Sequence, residues 1–292
     1  MPWSSRRVPP GLASGFPMSS TDPSVGSFPL PGGLLLADGR RLEQAELRPL
    51  TVYEEEWLAA HLTAPNTQTV TRLLESCLLS LDGISPTPEM VGQLLVGDRD
   101  YLVLQLRRIT LGDQIQAVFA CPACSARMDV DFSLADVPVE RRPQSAACHS
   151  LELENGRRLH FHLPTGADQQ AILAVEAGER VSALLARCLE EAALPLTQEE
   201  LEKFSAAMER LAPQVDLELD LTCPECNHTF TAPFDLTAFF FSEMQANAVQ
   251  LLREVHFLAF YYHWSEENIL KLTRKRRREY LALLNETLRT DG

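Results

Sequence analysis

Apolar and polar residues follow the same order in two stretches of the chain. Each stretch opens with short apolar segments around a turn dipeptide, Asp38-Gly39 in the first and Asn155-Gly156 in the second. These dipeptides accept the positive φ angles of tight turns, so both predict a β-hairpin. Further along, residues 70–78 and 181–189 both read Val-x-x-Leu-Leu-x-x-Cys-Leu, which places apolar side chains on one helical face. The shared order favours an internal repeat.

Helical segments follow both hairpins, at residues 52–62 and 167–177. Several helix starts are marked by Thr or Pro, because a Thr side chain caps free backbone N–H groups and Pro suits the first helical turn. These signals are Thr51 with Glu54, Thr87 before Pro88, and Thr197 with Glu200. A long helix is predicted over residues 236–262, and Ser265 marks the start of the next one.

A predicted strand leads to a pair of cysteines in each stretch. Residues 114–120 precede Cys121-Pro122-Ala123-Cys124, and residues 215–222 precede Cys223-Pro224-Glu225-Cys226. A further strand is predicted after each pair. Because hairpin, helix and cysteine pair match in the same order, the sequence predicts a tandem duplication of one hairpin–helices–knuckle unit.

The fold class expected from this pattern is α+β and mostly helical, with a helical C-terminus. The N-terminal segment is rich in Pro, Gly and Ser and cannot bury enough apolar surface to offset the entropy of ordering it. The predicted organisation is a disordered tail at 1–33, a first repeat at 34–140, a second repeat at 150–236, and C-terminal helices at 237–292.

Four of the cysteines, Cys121, Cys124, Cys223 and Cys226, predict a structural zinc site. Each Cys-x-x-Cys turn supplies two thiolates, and four thiolates complete a tetrahedral site with no open position for catalysis. Facing hairpins from the two repeats would bring the distant pairs to one ion. The alternatives are a redox dithiol, two disulfides, or pairs that no longer bind metal. A redox Cys-x-x-Cys normally occurs singly in a βαβ pattern, which this sequence lacks.

Composition limits the cellular compartment and the classes of partner that we expect. The chain has 292 residues, a formal net charge of -14 and seven cysteines. The negative charge disfavours general attraction to nucleic acid or an anionic membrane, and no stretch approaches the roughly 20 apolar residues that cross a bilayer. The odd number of cysteines argues against a full disulfide framework. We therefore expect a cytoplasmic protein with no membrane partner.

Catalytic motifs are missing from the sequence. It contains no P-loop, no Gly-x-Gly-x-x-Gly, no nucleophile elbow and no His-Glu-x-x-His. The segment Asp98-Arg99-Asp100 is interpreted as the charged start of a helix. Cys77 and Cys188 lie among leucines and are expected to be buried as small hydrophobic residues. His160 and His162 are expected to be strand residues with hydrogen-bonded rings. His228 could replace a cysteine as a ligand, but a supporting or surface position is favoured because Ala126 is its counterpart in the first stretch. We expect a non-enzyme with no small-molecule substrate.

A basic cluster lies near the C-terminus and has two interpretations. It comprises Lys271, Arg274, Lys275, Arg276, Arg277 and Arg278. The favoured interpretation is the solvated face of the last helix, because the chain as a whole is acidic and no aromatic residues alternate with the basic ones. The other is a docking surface for nucleic acid or an acidic partner.

Several short stretches can be recognised together. They are Leu30-Pro31-Gly32-Gly33, Glu46-Leu47-Arg48-Pro49-Leu50-Thr51, Val96-Gly97-Asp98-Arg99-Asp100, Leu163-Pro164-Thr165-Gly166-Ala167-Asp168, the two cysteine pairs, and Leu252-Arg253-Glu254-Val255-His256 with Tyr262, Trp264, Ser265 and Glu266. As a set they resemble the T-even-phage-type baseplate-hub assembly proteins of contractile phage tails and contractile injection systems. The resemblance covers about residues 30–287.

This resemblance implies a non-enzymatic part in building or completing a baseplate, with hub or wedge proteins as partners. The protein would act as a chaperone that leaves the particle or as a component incorporated into it. The aromatic-rich segment 239–264 is the candidate docking surface, with a place in the core as the alternative. The second functional hypothesis is a zinc-ribbon nucleic-acid-binding protein that uses the basic cluster.

Overall fold

The computed structural model describes residues 25–61, 67–144, 146–190, 196–215 and 217–290. Its strands are β1 (Gly26–Leu35), β2 (Arg41–Leu47), β3 (Leu78–Leu81), β4 (Gln114–Ala120), β5 (Arg127–Ser133), β6 (Val139–Glu140), β7 (His149–Glu152), β8 (Arg158–Phe161), β9 (Gln214–Val215), β10 (Glu218–Thr222) and β11 (Thr229–Pro233). Its helices are α1 (Val52–His61), α2 (Thr67–Cys77), α3 (Pro88–Gln93), α4 (Val96–Leu111), α5 (Gly166–Ala171), α6 (Arg180–Cys188), α7 (Gln198–Leu211), α8 (Leu236–Tyr262), α9 (Glu266–Leu270) and α10 (Arg274–Thr290). The described chain is mostly helical with small antiparallel sheets, which confirms the α+β class.

Both predicted hairpins are present, as β1–β2 and β7–β8. Their turns are closed in the same way, because Gly39 and Gly156 take positive φ angles of 85° and 79°. The N–H of Gly39 donates to the carbonyl of Leu36 over 2.9 Å, and the N–H of Gly156 donates to that of Leu153 over 2.9 Å. Glycine is favoured there because it adopts the left-handed conformation without steric cost.

The strands form one three-stranded sheet and four two-stranded ones in the described chain. The larger sheet has the order β1-β2-β3, with β2 in the centre. Strand β6 pairs with β9, which joins residues 139–140 to residues 214–215. The remaining two-stranded sheets are the hairpins β4–β5, β7–β8 and β10–β11. Among these strands, long-range pairing is therefore limited to β3 and to the short β6–β9 ladder.

Buried apolar residues form separate clusters that share helix α4. The largest packs the three-stranded sheet against helices and includes Leu47, Leu73, Leu102 and Phe240. A second packs β7–β8 against α6 and α7 and includes Leu95, Phe161, Leu185 and Phe204. A third lies under β4–β5 and β10–β11 and includes Leu104, Ile115, Leu134, Leu217 and Leu236. Because α4 and the residue before it contribute to all three clusters, α4 connects the parts of the molecule.

Two pairs of a short and a longer helix, α3–α4 and α9–α10, make equivalent contacts. In each pair, the start of the longer helix lies against the start of another helix. The residue before each longer helix makes an isolated antiparallel bridge, Leu95 with Thr165 and Thr273 with Thr51. Each longer helix then buries an arginine in its first turn, Arg99 in α4 and Arg277 in α10. As a result α4 lies against the start of α5, and α10 lies against the start of α1.

Two boundaries differ from the sequence expectation. The tail was predicted over residues 1–33, but strand β1 begins at Gly26 and buries Leu30. The prolines in this segment are tolerated because β1 is an edge strand and its register is irregular between Pro29 and Leu34. Residues 1–24 lie outside the described residues. The helix predicted at 167–177 ends at Ala171, since the N–H of Ile172 bonds back to Gln170 and closes the helix early.

Candidate metal centre

The two cysteine pairs lie in the loops of hairpins β4–β5 and β10–β11. The hairpins pair Ala120 with Arg127 and Thr222 with Thr229 at their last rungs. Each loop therefore begins with the first cysteine directly after a strand. A strand is present on both sides of each pair, as predicted, although the one predicted at 215–222 begins at Glu218, and Val215 belongs to β9.

Both loops are folded by the same backbone hydrogen bonds. The first cysteine donates its N–H to the carbonyl five residues later and accepts from the N–H four residues later. These bonds are Cys121 to Ala126 (2.9 Å), Ser125 to Cys121 (2.8 Å), Cys223 to His228 (2.9 Å) and Asn227 to Cys223 (2.9 Å). Ser125 and Asn227 take the left-handed conformation, with φ angles of 60° and 56°. The loops thus present their sulfurs in matching orientations.

The four sulfurs come together between the hairpins. Cys121 Sγ lies 3.7 Å from Cys226 Sγ, and Cys124 Sγ lies 3.6 Å from Cys223 Sγ. All four lie within 4.8 Å of one another. Sulfurs bound at about 2.3 Å to a tetrahedral ion are about 3.8 Å apart, whereas a disulfide holds them at about 2.05 Å. The distances therefore fit a bound metal ion and not disulfides.

The surroundings of the sulfurs are asymmetric. Cys121 and Cys223 are buried, whereas Cys124 and Cys226 are exposed. Apolar side chains that include Met128 pack around the two buried cysteines. Burial acts to raise the pKa of the Cys121 thiol, but the N–H groups of Cys124 and Ala123 outweigh it and lower that pKa to about 7. Such N–H groups stabilise a thiolate, which is the form that binds metal.

His228 lies beside the four sulfurs and not among them. Its ring is stacked on Phe230 with centroids 6.0 Å apart, and its carbonyl accepts the N–H of Cys223. The four-sulfur group contains no histidine within the described residues. The expectation that His228 takes a supporting or surface position is confirmed.

A second group of possible metal ligands consists of His162, Asp168 and Cys188. The carboxylate of Asp168 is already engaged, because Oδ2 lies 3.1 Å from His162 Nε2 and accepts the Thr165 hydroxyl over 2.7 Å. Arg187 Nε donates to the other oxygen over 3.3 Å. Burial, together with the Asp168 charge, raises the pKa of the Cys188 thiol to about 12. The group is therefore better explained as a hydrogen-bond network than as a metal site.

The first half of the chain contains a matching network around Glu54. This carboxylate accepts from Arg48 over 2.8 Å, from the Thr51 hydroxyl over 2.6 Å and from the Ser76 hydroxyl over 2.6 Å. Its pKa is lowered to about 2, because these hydrogen bonds outweigh the effect of burial. Sequence analysis found only the Thr51–Glu54 pair, since the other partners are distant along the chain.

In both halves a buried cysteine lies next to this network. The carbonyl of Cys77 accepts the N–H of Arg48 over 3.0 Å, and the carbonyl of Cys188 accepts the N–H of His162 over 3.0 Å. Both cysteines are fully buried, as the leucines around them predicted. The hydrogen-bonded ring expected for His162 is also confirmed, with Asp168 as its partner, but His162 lies directly after β8, which ends at Phe161, and not in the strand.

The six basic residues proposed for docking do not form one surface. Arg277 is only 2% exposed and pairs with Glu55 and Glu254. Arg274 also turns inward, with 14% of its side chain exposed. For these two arginines, both interpretations of the basic cluster, a solvated face and a docking surface, are therefore wrong. Each of the two lies against the buried carboxylate of Glu55. Lys271, Lys275, Arg276 and Arg278 are exposed.

The predicted helix start at Asp98-Arg99-Asp100 is confirmed, but Asp98 and Arg99 are buried and not solvated. Asp98 Oδ1 accepts the N–H of Gly32 over 2.7 Å, so the carboxylate fixes strand β1 against α4. Burial raises the pKa of Asp98 to about 6, although the N–H groups of Gly32 and Gly33 oppose the shift.

Comparison with known proteins adds one positive finding. Residues 36–241, more than half of the chain, match a protein family described as T4 bacteriophage base plate protein. No curated protein and no solved structure matches. The matched range includes both cysteine pairs and ends within α8. None of the helices in the described chain is long and apolar enough to cross a membrane.

Proposed function

We propose a non-enzymatic structural role in the baseplate of a contractile tail or contractile injection system, on the premise that the chain belongs to the T4 bacteriophage base plate protein family. A baseplate is built from many proteins, so family membership implies contact with other baseplate proteins. We assign hub or wedge proteins as the direct partners. The protein either acts as a chaperone during assembly or remains in the particle.

The second part of the proposal is a single structural zinc ion held by the four cysteines. The observation that carries it is the meeting of four sulfurs at distances that match the edges of a tetrahedral site. Four thiolates in this geometry suit zinc or iron. Zinc is preferred because its closed thiolate sites are structural and need no redox partner. Such a site leaves no coordination position for a substrate, in keeping with a structural protein.

The third part is a tandem duplication that brings the cysteine pairs together. It is supported by the two loops, which share their hydrogen bonds and their left-handed residues. It is also supported by the networks around Glu54 and Asp168. Each of these carboxylates accepts from the capping Thr three residues earlier, from a residue before that Thr, and from the neighbour of a buried cysteine. Chance would rarely place so many equivalent contacts in the same order.

The zinc ion would hold the two hairpins as one body. The cysteine pairs are about 100 residues apart, and closing so long a loop removes much of the freedom of the two hairpins relative to each other. A rigid pair of hairpins offers partner proteins a surface that does not need to be ordered on binding, which lowers the cost of association.

Metal analysis of the purified, reduced full-length protein tests the zinc assignment. We expect one zinc per chain, and loss of zinc in Cys124→Ser and Cys226→Ser. Cys148→Ser is the matched control, because Cys148 lies outside the four-sulfur group. A metal-free wild type, or zinc retained by both ligand variants, would contradict the proposal. Iron in place of zinc would overturn the choice of metal.

Co-expression with the hub and wedge proteins of the same gene locus tests the baseplate role. We expect the full-length chain to co-purify with at least one of them and not with the tail sheath protein. Mass spectrometry of assembled particles then separates a component that stays from a chaperone that leaves. Failure to bind any baseplate protein would refute the assigned partners.

A further inference from the structure

The second half of α8 leaves a row of large apolar side chains in solvent. Its members are between 40% and 63% exposed, and they are Val249, Leu252, Phe257, Phe260 and Tyr261. We call them the α8 stripe. Together they form the densest group of exposed large hydrophobic residues in the described chain. Exposed apolar residues are normal when scattered, but a contiguous set of this kind marks an interaction site.

The stripe is continuous along the helix. Val249, Leu252 and Phe260 lie on one face at helical spacing, and His256 lies between them with its ring 6.1 Å from that of Phe260. The ring of Tyr261 contacts Phe260 at 5.1 Å and so widens the surface. Twelve residues of helix correspond to roughly 18 Å, which is the length of a contact between two helices.

The stripe is a second apolar face, because α8 already buries its other side. Leu251 and Leu258 are buried on that side, and Phe240 and Phe241 join the main core near the start of the helix. A helix that has filled its core face gains nothing for folding from more exposed aromatic residues. The candidate segment 239–264 therefore divides into a core part and an exposed part, and the stripe lies beyond residue 241, where the family match ends.

The charge on the stripe's own face is positive. Glu254 is the only carboxylate in the helix after Glu243, and Arg277 of α10 binds it over 2.6 Å. Arg253 is exposed on the stripe's own face. With Glu254 paired, Arg253 sets the sign of the charge on this part of α8.

We propose that the α8 stripe docks an amphipathic helix of another baseplate protein, whose apolar face is flanked by carboxylates. This inference rests on the proposed baseplate function. A second copy of the chain is a poorer occupant, because pairing stripe against stripe would bring the two Arg253 side chains towards each other. Helix-against-helix recognition uses apolar anchors at the spacing seen in the stripe, and the flanking charges select the partner.

Two synthetic helical peptides test the inference on the full-length protein. They share one leucine face, and the flanking positions are glutamate in the first and lysine in the second. In fluorescence anisotropy we expect the acidic peptide to bind at least about tenfold more tightly than the basic one. Phe260→Ser should weaken binding of the acidic peptide by about tenfold or more, because it removes an aromatic anchor.

Matched variants distinguish binding at the α8 stripe from nonspecific hydrophobic binding. Val181→Ser changes a similarly exposed apolar residue on α6 and should leave peptide binding unchanged. Arg253→Glu should reduce the preference for the acidic peptide, because it reverses the charge on the stripe's own face. Equal binding of both peptides, or equal loss in Phe260→Ser and Val181→Ser, would overturn the inference. So would a wild-type dimer in light scattering that Phe260→Ser dissociates. Zinc content and capture of hub or wedge proteins are measured separately, so the proposed function can stand if the stripe fails.

Discussion

Arg277 offers a direct test of how the C-terminal helix is held to the rest of the molecule. Its guanidinium donates two parallel hydrogen bonds to Glu55, at 3.0 Å each, and a third to Glu254 at 2.6 Å. The side chains of Arg277 and Glu55 are 2% and 3% exposed. Replacing Arg277 by methionine keeps the apolar stem and removes the charge, which leaves Glu55 buried without its main partner.

The expected cost follows from that burial. Removing one partner of a buried ion pair costs about 3–5 kcal/mol, because the remaining charge is left in a low-dielectric environment. Arg274 lies 3.7 Å from Glu55 and can compensate in part, and Glu254 reaches solvent with 16% of its side chain exposed. We therefore expect Arg277→Met to lower the free energy of unfolding by about 3 kcal/mol, at the lower end of that range.

Urea unfolding followed by circular dichroism measures this effect. Arg278→Met is the matched control, because Arg278 is exposed on the same helix and its loss should change stability by less than about 0.5 kcal/mol. Combining Arg277→Met with Glu55→Gln should cost less than the two single changes added together, since the second change removes the stranded charge. Equal unfolding midpoints for Arg277→Met and Arg278→Met would refute the reasoning.

Three further predictions concern a glycine, a carboxyl group and the metal. Gly97→Ala should lower the free energy of unfolding by about 1–3 kcal/mol in urea titrations, because the added Cβ would lie 1.9 Å from the carbonyl oxygen of Pro213. Asp98 has a pKa raised to about 6, so the protonated carboxyl is favoured in the folded protein. Its contribution to the free energy of unfolding is therefore fully present below pH 3.8 and is lost as pH rises through about 6. Between pH 4 and 7 the metal-free wild type should lose up to roughly 3 kcal/mol relative to Asp98→Asn. Removing zinc with a chelator should lower the melting temperature by about 5–15 °C in scanning calorimetry.

Each of these predictions has its own control. Gly92→Ala introduces a Cβ whose nearest neighbour is 3.8 Å away, so it should be neutral or slightly stabilising, and equal losses in both glycine variants would contradict the steric argument. The pH series starts at pH 4, where Glu54 and Asp168 remain ionised because their pKa is lowered to about 2. Parallel pH profiles of wild type and Asp98→Asn would refute the assignment. An unchanged melting temperature after verified metal loss would mean that the ion does not stabilise the fold.

Features set by local sequence were predicted well. Both hairpin turns depend on one glycine beside Asp or Asn, and the helix starts at Thr87 and Thr197 depend on a capping hydroxyl. The bounds of α8 also agree with the predicted 236–262, because Asp235 caps its first turn and His263 ends it in the left-handed conformation. In each case the signal lies within a few residues of the structure it specifies.

Features set by distant contacts were missed. Strand β1 exists because β2 and α4 cover it, and a Pro- and Gly-rich segment carries no local sign of that partner. Arg277 is buried because it pairs with Glu55, which lies more than 200 residues away along the chain. The charge of Arg277 alone therefore indicated a solvated position. The meeting of the four sulfurs was predictable only because the same loop occurs twice. Without the shared order of motifs along the chain, two separate Cys-x-x-Cys pairs would not indicate that they face each other.

The four-cysteine site is not the sole connection between the parts of the molecule, and the helix contacts show why. Helix α4 lies against the start of α5, and α10 lies against the start of α1, each through a backbone bridge and a buried arginine. The first contact crosses between the proposed repeats, the second joins the C-terminal helices to the first repeat, and neither involves a sulfur atom. Zinc loss should therefore loosen β4–β5 and β10–β11, seen as faster amide exchange there, while the helical signal at 25 °C persists. Loss of that helical signal on chelation would show that α4 and α10 cannot hold these parts of the molecule together without the ion.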